Sequence, residues 1–290
     1  MQMFNKILIL GKELLKENEI EKIIKFLESN KFYKTLSLAI ALKVGIRIPA
    51  TVLLLELNKD NLKEVYNLLG LPLMIRVEYR SLPNKKVLGG IPLYSKETIR
   101  NISSFLFEKN YFPVFHPNIM RSEDQYSTGV LIDSNNKEIF VETVGEGFDA
   151  SDLRLGSSIP HEQFKIDSFN FKVKEKKIIS LGDYMREREK RLIKIKKINE
   201  YIEYVNKENK LLDSFEFNNL KEVSNDFYSV PKKYTPMPYI IEKELVEICR
   251  LVYIHVTNIL PPSKSFAISL SYIKNIGWIL WDIYSGWYCR

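Results

Sequence analysis

Glycines cluster in the middle of the chain, and this constrains the fold more than any other feature of the sequence. Six of the 12 glycines lie between Leu71 and Ile159, among strand-like apolar runs. Glycine lets the backbone approach a ligand closely or adopt positive φ angles. Such a concentration beside strands and charged residues indicates a site that handles phosphate groups. The six are Gly89, Gly90, Gly129, Gly145, Gly147 and Gly156.

The basic excess of the chain is local. The 290 residues carry 43 Lys and Arg against 36 Asp and Glu, a net charge of +7. Residues 172–197 alone contain 11 basic and 4 acidic residues, so the rest of the chain is balanced. This segment holds one aromatic residue, Tyr184, which is too few for stacking on bases. We therefore expect a solvated helix face there and no nucleic-acid partner. An interaction module built on this segment stays an alternative.

Cysteine and histidine positions exclude several classes of site. Cys249 and Cys289 cannot form a disulfide scaffold and lack the spacing of a metal site, which favours a reducing, cytoplasmic location. His116, His161 and His255 are far apart in sequence and form no zinc motif. The chain has no G-x-S-x-G elbow of a serine hydrolase. No apolar run reaches the length of a membrane span.

Hydrophobic periodicity predicts an α+β chain. Gly45 and Gly70 are expected to end the second and third helices, and Ser95 to cap the fourth. Residues 4–10 fit either a strand or the start of a helix. The predicted helices cover 12–29, 34–44, 60–70, 96–109 and 240–258. The predicted strands lie within 46–55, 72–79, 111–119, 127–133, 138–144, 266–273 and 278–284, with hairpin turns at Asn135-Asn136 and at 274–277.

The same patterns divide the chain into four parts. Residues 1–110 are expected to form an N-terminal α/β lobe, and residues 111–170 a β-rich region. Residues 171–235 form a charged helical insert, with helices over 183–212 and a polar connection after them. Residues 236–290 supply a C-terminal helix and a strand pair.

Three charged residues stand where a phosphate compound would need them. Lys34 opens a helix, and it is either a phosphate ligand or one surface lysine among many. Arg76 lies in an apolar strand, where burying an unpaired charge is costly. It therefore needs either an anion, since its guanidinium fork suits phosphate oxygens, or a structural partner such as Glu78 or Glu142. Glu142, also in an apolar strand, can accept from ribose hydroxyls, hold Mg²⁺ or form an ion pair.

Taken in order, these segments resemble the ATP-grasp nucleotide-binding domain of the pyruvate phosphate dikinase and phosphoenolpyruvate synthase type. In that family a lysine opens a helix that ends in Gly-x-x-x-Pro before a strand, and a later strand carries an essential arginine. The resemblance covers residues 30–165 and 240–290. The matching segments are Lys34 through Gly45 and Pro49; Ile75-Arg76-Val77 through Gly89-Gly90; Ser127-Thr128-Gly129-Val130; Val141-Glu142-Thr143-Val144 with Gly145, Gly147, Gly156 and Pro160; and Ser269–Tyr272 with Gly277–Asp282.

The resemblance implies a two-lobed ATP-grasp-like α+β fold, with ATP and Mg²⁺ between the lobes and residues 170–235 inserted. Two departures stand out: the lysine lacks the family's preceding Gly-Gly, and Ser269 or Ser271 stands where the family has a metal-binding glutamate. The implied nucleotide ligands are Lys34, Arg76, Gly89, Gly90, Glu142, Gly145 and Gly147. The implied Mg²⁺ ligands are Glu142 and Asp282, and the residues facing the transferred group are Arg121 and Arg290.

The implied activity is ATP-dependent phosphoryl transfer to a small-molecule or peptide acceptor. The enzyme would be a ligase acting through an acyl phosphate, or a small phosphotransferase. The missing metal glutamate favours an alternative, a nucleotide-binding or interaction protein with a degenerate ATP-grasp fold and no turnover. A partner protein or a homo-oligomer stays open, and no membrane partner is expected.

Overall fold

The computed structural model describes most of the chain, and every structural statement concerns the residues it describes. Three of the larger gaps fall where the sequence analysis placed a glycine pair, the Gly145–Gly156 loop and the charged insert. The described stretches are 7–11, 16–78, 91–93, 95–117, 126–133, 137–145, 159–179, 236–256 and 265–285.

Helices and strands are mixed along the described residues, which confirms the predicted α+β class. The helices are α1 (Glu17–Ser29), α2 (Tyr33–Lys43), α3 (Lys59–Leu69), α4 (Lys96–Glu108) and α5 (Tyr239–His255). None of these helices has the length and apolarity that crossing a membrane requires. The strands are β1 (Ile7–Leu10), β2 (Thr51–Leu54), β3 (Leu73–Glu78), β4 (Ile91–Leu93), β5 (Phe112–Pro117), β6 (Tyr126–Asp133), β7 (Glu138–Val144), β8 (Glu162–Asp167), β9 (Val173–Ile178), β10 (Ser265–Ile273) and β11 (Gly277–Ser285).

The first sheet is antiparallel, with strand order β1-β2-β5-β3-β4. Side chains alternate between its two faces, as they must on a pleated strand. On β2, Val52 packs with α3 and α4, whereas Leu53 joins the core around α2. On β5, Phe115 and Val114 divide in the same way. The sheet is therefore covered by helices on both faces.

The second sheet is also antiparallel, with strand order β11-β10-β6-β7-β8-β9. Val130, Val141 and Ile268 lie on its buried face, in one core with Leu245 and Cys249 of α5. The residues that alternate with them on β6, β7 and β10 include Gly129, Glu142 and Ser269, which are half-buried. One face of this sheet is thus core, and the other, which we call the open face, carries these half-buried residues.

Helix α2 lies at the junction of the two sheets. Residues 35–41 are all buried, and the helix contacts β11 of the second sheet and β3 of the first. A helix that is apolar on every side is a core helix, because no face is left for water. It ends as predicted, with Gly45 at a φ of +85° and the N–H of Ile46 bonded to the carbonyl of Ala41. The packing fixes the start of α2 between the sheets.

The structure contains three strands that the sequence analysis did not list: β4, β8 and β9. Residues 173–178 form the edge strand β9, although the sequence analysis placed them in a charged helical insert. Its Lys-rich sequence suits an exposed sheet edge, where charge blocks pairing with other chains. The short strand β4 was not predicted. The helices expected over 183–212 and the Asn135-Asn136 turn lie outside the described residues, although β6 and β7 do pair as the predicted hairpin.

Candidate functional site

Two cations and one carboxylate meet where the two sheets approach each other. Arg76 Nη1 donates to Oδ2 of Asp282 over 2.7 Å and to the carbonyl of Trp281 over 2.8 Å. Lys34 Nζ lies 3.2 Å from the same Oδ2. The Asp282 side chain is 1% exposed, while those of Lys34 and Arg76 are 12% and 13% exposed. A single buried oxygen therefore binds two cations whose side chains keep a small exposed fraction.

Each of the three side chains comes from a different element. On β3, Ile75 and Val77 face α3 and α4, so Arg76 between them lies on the opposite face, toward α2. Lys34 lies in the first turn of α2, and Asp282 lies on β11. The site thus forms only when α2 is packed between the two sheets.

Glu78 lies two residues beyond Arg76 on the same face of β3, and it is buried. Its Oε2 accepts from the N–H of Thr35 over 2.6 Å and from Thr35 Oγ1 over 2.7 Å, and its Oε1 accepts from the N–H of Lys34 over 3.3 Å. Phe32, at the N-cap position of α2, supplies no side-chain acceptor. A carboxylate from a distant strand therefore caps this helix. The first N–H groups of a helix have no partner within the helix, and the helix dipole favours a negative charge at this end, so both effects favour this cap.

A neutral histidine borders the cluster. His116 on β5 is buried, with Nδ1 3.0 Å from Thr51 Oγ1 and its ring centroid 6.4 Å from that of Trp281. Burial lowers the pKa of His116 well below its ordinary value, and the charges of Arg76 and Lys34 lower it further. The imidazole is therefore uncharged near neutral pH, and it packs beside the cations without repelling them.

Burial shifts the pKa of Lys34 and that of Glu78 in opposite directions. Burial lowers the pKa of Lys34, the charge of Asp282 opposes that shift, and the charge of Arg76 adds to it. Burial raises the pKa of Glu78 to about 7, against the lowering effect of its bonds to Thr35. Among the described residues, two carboxylates lie near Lys34: that of Asp282, whose Oδ2 is 3.2 Å from Nζ, and that of Glu78, whose charge raises the pKa of Lys34.

Glu142 shares a sheet face with Asp282 but lies three strands away from it. The register pairs Asp282 with Ser269, Ser269 with Gly129, and Gly129 with Glu142. Residues directly opposite each other in an antiparallel sheet point to the same face, so this row crosses the open face. Three strand spacings separate its ends by about 14 Å. Glu142 Oε1 accepts from the amide of Gln163 over 2.8 Å.

Of the other predicted site residues, Gly145 is described by the structure and five are not. The N–H of Gly145 donates to Nδ1 of His161 over 3.1 Å, so this N–H serves the fold and is not directed to a phosphate. Five predicted site residues lie outside the described residues: Gly89, Gly90, Gly147, Arg121 and Arg290.

The described residues show no cluster of metal-binding side chains. They contain no group of three or more His, Cys, Asp or Glu side chains that could hold a metal ion. Asp282 Oδ2 is already bonded to two cations, and a divalent ion beside them would be repelled. The Mg²⁺ site expected at Glu142 and Asp282 stays a prediction.

Sequence reasoning missed the partners that organise the site. Asp282 was considered only as a metal ligand, and the structure adds that it pairs with Lys34 and Arg76. Glu78 was considered as a partner of Arg76, yet it bonds to the start of α2. One signal was available: Arg76 and Glu78 are two apart on a strand and must share a face. The pairing with α2 and β11 depends on tertiary structure and leaves no local pattern.

Comparisons with known proteins give structural likeness only. No protein-family model matches the sequence, and no curated protein matches it. A carboxyaminoimidazole ribonucleotide synthase from Aspergillus clavatus, solved with ATP, is 12% identical, with a TM-score of 0.44 over 93% of this chain and 50% of that one. The D-alanine–D-alanine ligase of Bacillus anthracis, also solved with ATP, is 12% identical, with a TM-score of 0.39 over 93% and 63% of the two chains.

A third solved structure is the macrocyclase MdnC bound with the precursor peptide MdnA, from Microcystis aeruginosa. It is 14% identical, with a TM-score of 0.38 over 88% of this chain and 53% of that one. The chain thus spans between 50% and 63% of the length of these three proteins.

Proposed function

We propose that the chain binds the phosphates of ATP at Lys34 and Arg76 and acts as an ATP-dependent phosphoryl-transfer enzyme of ATP-grasp type. The reaction would be that of a ligase acting through an acyl phosphate, or of a small phosphotransferase. One observation carries this proposal: two cations from separate elements converge on a single oxygen of Asp282. Carboxylate and phosphate oxygens accept from the same donors with similar geometry. The position of Oδ2 therefore marks where an anionic oxygen is already stabilised.

We expect a ligand as long as ATP to lie along the open face of the second sheet. The row from Asp282 to Glu142 passes Ser269 and Gly129, two of the smallest residues. A nucleotide lying along this row would place its phosphates near Lys34 and Arg76 and its ribose hydroxyls near Glu142. Phosphoryl transfer needs little more from a protein than such positioning and charge neutralisation.

One observation favours a second candidate, a nucleotide-binding protein without turnover. The described residues hold no carboxylate cluster for a metal, and Asp282 is occupied by Lys34 and Arg76. An enzyme of this type would need ATP to bring its metal ion, or would need ligands from outside the described residues. The two candidates share the nucleotide site and differ in product release.

A nucleotide panel separates these candidates. We expect ATP to raise the melting temperature of the wild-type protein more than GTP does, with and without Mg²⁺. An enzyme then releases ADP or AMP in a Mg²⁺-dependent way when an acceptor is present, and a binder without turnover releases neither. No shift with any nucleotide would contradict both. An interaction module that uses the basic segment 172–197 would instead ignore ATP and bind nucleic acid with a steep salt dependence.

Two surface cations, one on α2 and one on α5, serve as matched controls for Lys34 and Arg76. Lys43 lies at the other end of α2 and pairs with Glu21 at the surface, and Arg250 pairs with Glu247 on α5. Lys43→Met and Arg250→Met remove the same charges away from the site, so both variants should keep the ATP-induced shift. Lys34→Met and Arg76→Met should reduce it.

A further inference from the structure

The N-terminus of α2 depends on an acceptor from outside the helix. Lys34 and Thr35 both lie in the first turn, and their N–H groups are bonded to Glu78. In most helices this acceptor is a side chain at the N-cap position, but Phe32 offers none here. Without Glu78, buried N–H groups in the turn that carries Lys34 would lose their partner.

Strand β3 contributes to the cation pair twice. It carries Arg76 directly, and two residues further on it carries the carboxylate that holds the backbone of Lys34. Both side chains lie on the face of β3 that is turned toward α2. A single strand therefore determines where both cations lie relative to each other.

We propose that Glu78 is a positioning residue of the phosphate site, which caps α2 from β3 and thereby holds Lys34 beside Arg76. This inference rests on the proposed function, because it assigns Glu78 a role in the same nucleotide site. Glu78 itself lies behind the first turn of α2, with its oxygens taken up by Thr35 and Lys34. Its effect on a ligand must therefore pass through Lys34, and this separates positioning from direct contact.

A double-mutant cycle with ATP affinity as the readout tests this dependence. Isothermal titration at pH 8, where Glu78 is ionised in the folded protein, gives the Kd for wild type, Glu78→Met, Lys34→Met and the double variant. We expect Glu78→Met to weaken ATP binding about tenfold in the wild-type background and less than about twofold when Lys34 is already Met, because residues that act through each other are not additive. Glu78→Gln keeps one acceptor oxygen and should recover part of the affinity.

Glu162→Met is the matched control for loss of a buried carboxylate. Glu162 lies on β8, is fully buried, and accepts from the N–H of Met237 while pairing with Lys176. Strand β8 is four places from β11 in the sheet order. This variant should lower the melting temperature and leave the Kd for ATP unchanged, which shows that destabilisation alone does not weaken binding.

The outcomes distinguish the two proposals. If the wild-type protein binds ATP and Lys34→Met weakens that binding, but Glu78→Met changes only the melting temperature, the positioning role is overturned and the nucleotide site stands. Equal losses in both backgrounds would also overturn it. If the wild-type protein does not bind ATP at all, the proposed function itself fails. Should Glu78→Met not fold, Thr35→Val, which removes one bond to Glu78, takes its place in the same cycle.

Discussion

At the scale of single residues, Asp282 is the centre of the site. Its Oδ2 holds Lys34 and Arg76, while Oδ1 is buried without a hydrogen-bond partner among the residues that the structure describes. A buried ion pair adds little net stability, since desolvation offsets attraction, but removing one partner leaves a buried charge uncompensated. Asp282 therefore matters for stability mainly because, without it, Lys34 and Arg76 would lose their counterion.

Asp282→Asn tests this view of the cluster. We expect the variant to lower the free energy of unfolding by about 3 kcal/mol, because two partly buried cations would lose their counterion. Urea unfolding at pH 7 measures the change. Asp167→Asn breaks an ion pair with Lys174 at the surface and should have little effect. Equal stabilities for wild type and Asp282→Asn would show that the cluster does not hold its cations as described.

Glu78 predicts a pH dependence of stability with a definite sign. Its pKa is raised from 4.5 to about 7 in the folded protein, because burial disfavours the charged form. The folded state therefore binds a proton more tightly than the unfolded state. This contribution to stability is fully present below pH 4.5 and is lost as the pH rises through 7.

Comparing wild type with Glu78→Gln isolates this contribution from other titrating groups. Between pH 5 and pH 8, the wild type should lose about 2 to 3 kcal/mol more unfolding free energy than Glu78→Gln loses. Urea unfolding at the two pH values measures both changes. Parallel pH profiles would mean that Glu78 titrates near its ordinary value in the folded protein.

At the scale of elements, α2 connects the core to the site. Its middle is buried on every side, and its first turn carries Lys34. The packing of α2 in the core therefore also determines the position of Lys34. The charged helix α1 and the sheets surround α2, so α2 does not need a polar face.

Leu36→Ala measures how strongly this packing holds. Leu36 is fully buried, and its truncation should cost about 3 kcal/mol of unfolding free energy, since the cavity cannot close completely. Ile240→Ala, on α5 with 63% exposure, is the control and should cost far less. Equal small changes in urea unfolding would place α2 at the surface and contradict the fold.

The sequence predicted most elements because their signals are local. Ser95 caps α4 as expected, with Oγ accepting from the N–H of Thr98, and Gly45 and Gly70 end their helices at positive φ. Strand β9 was missed because its lysines hide the period of an edge strand. Sheet order, the capping of α2 by Glu78 and the counterion role of Asp282 could not be predicted. Each joins residues that are distant in sequence and brought together only by the packing.

At the scale of the whole molecule, the site lies where the two sheets meet. Strand β3 of the first sheet supplies Arg76, and β11 of the second supplies Asp282. The sequence analysis expected Lys34, Arg76 and Glu142 around one triphosphate. The structure joins Lys34 and Arg76 through Asp282 and places Glu142 on the same open face at a distance. The nucleotide is therefore proposed to span the second sheet, with its phosphates at the junction.

Isothermal titration of ATP into Arg76→Met, wild type and Arg250→Met most directly tests the claim that Lys34 and Arg76 form a phosphate site. We expect wild type and Arg250→Met to bind ATP alike. We expect Arg76→Met to bind about tenfold to a hundredfold more weakly, since a hydrogen bond to a charged group contributes about 1.5 to 3 kcal/mol. The same affinity in all three proteins, or no binding by the wild type, would contradict a phosphate site at the Lys34–Arg76 pair.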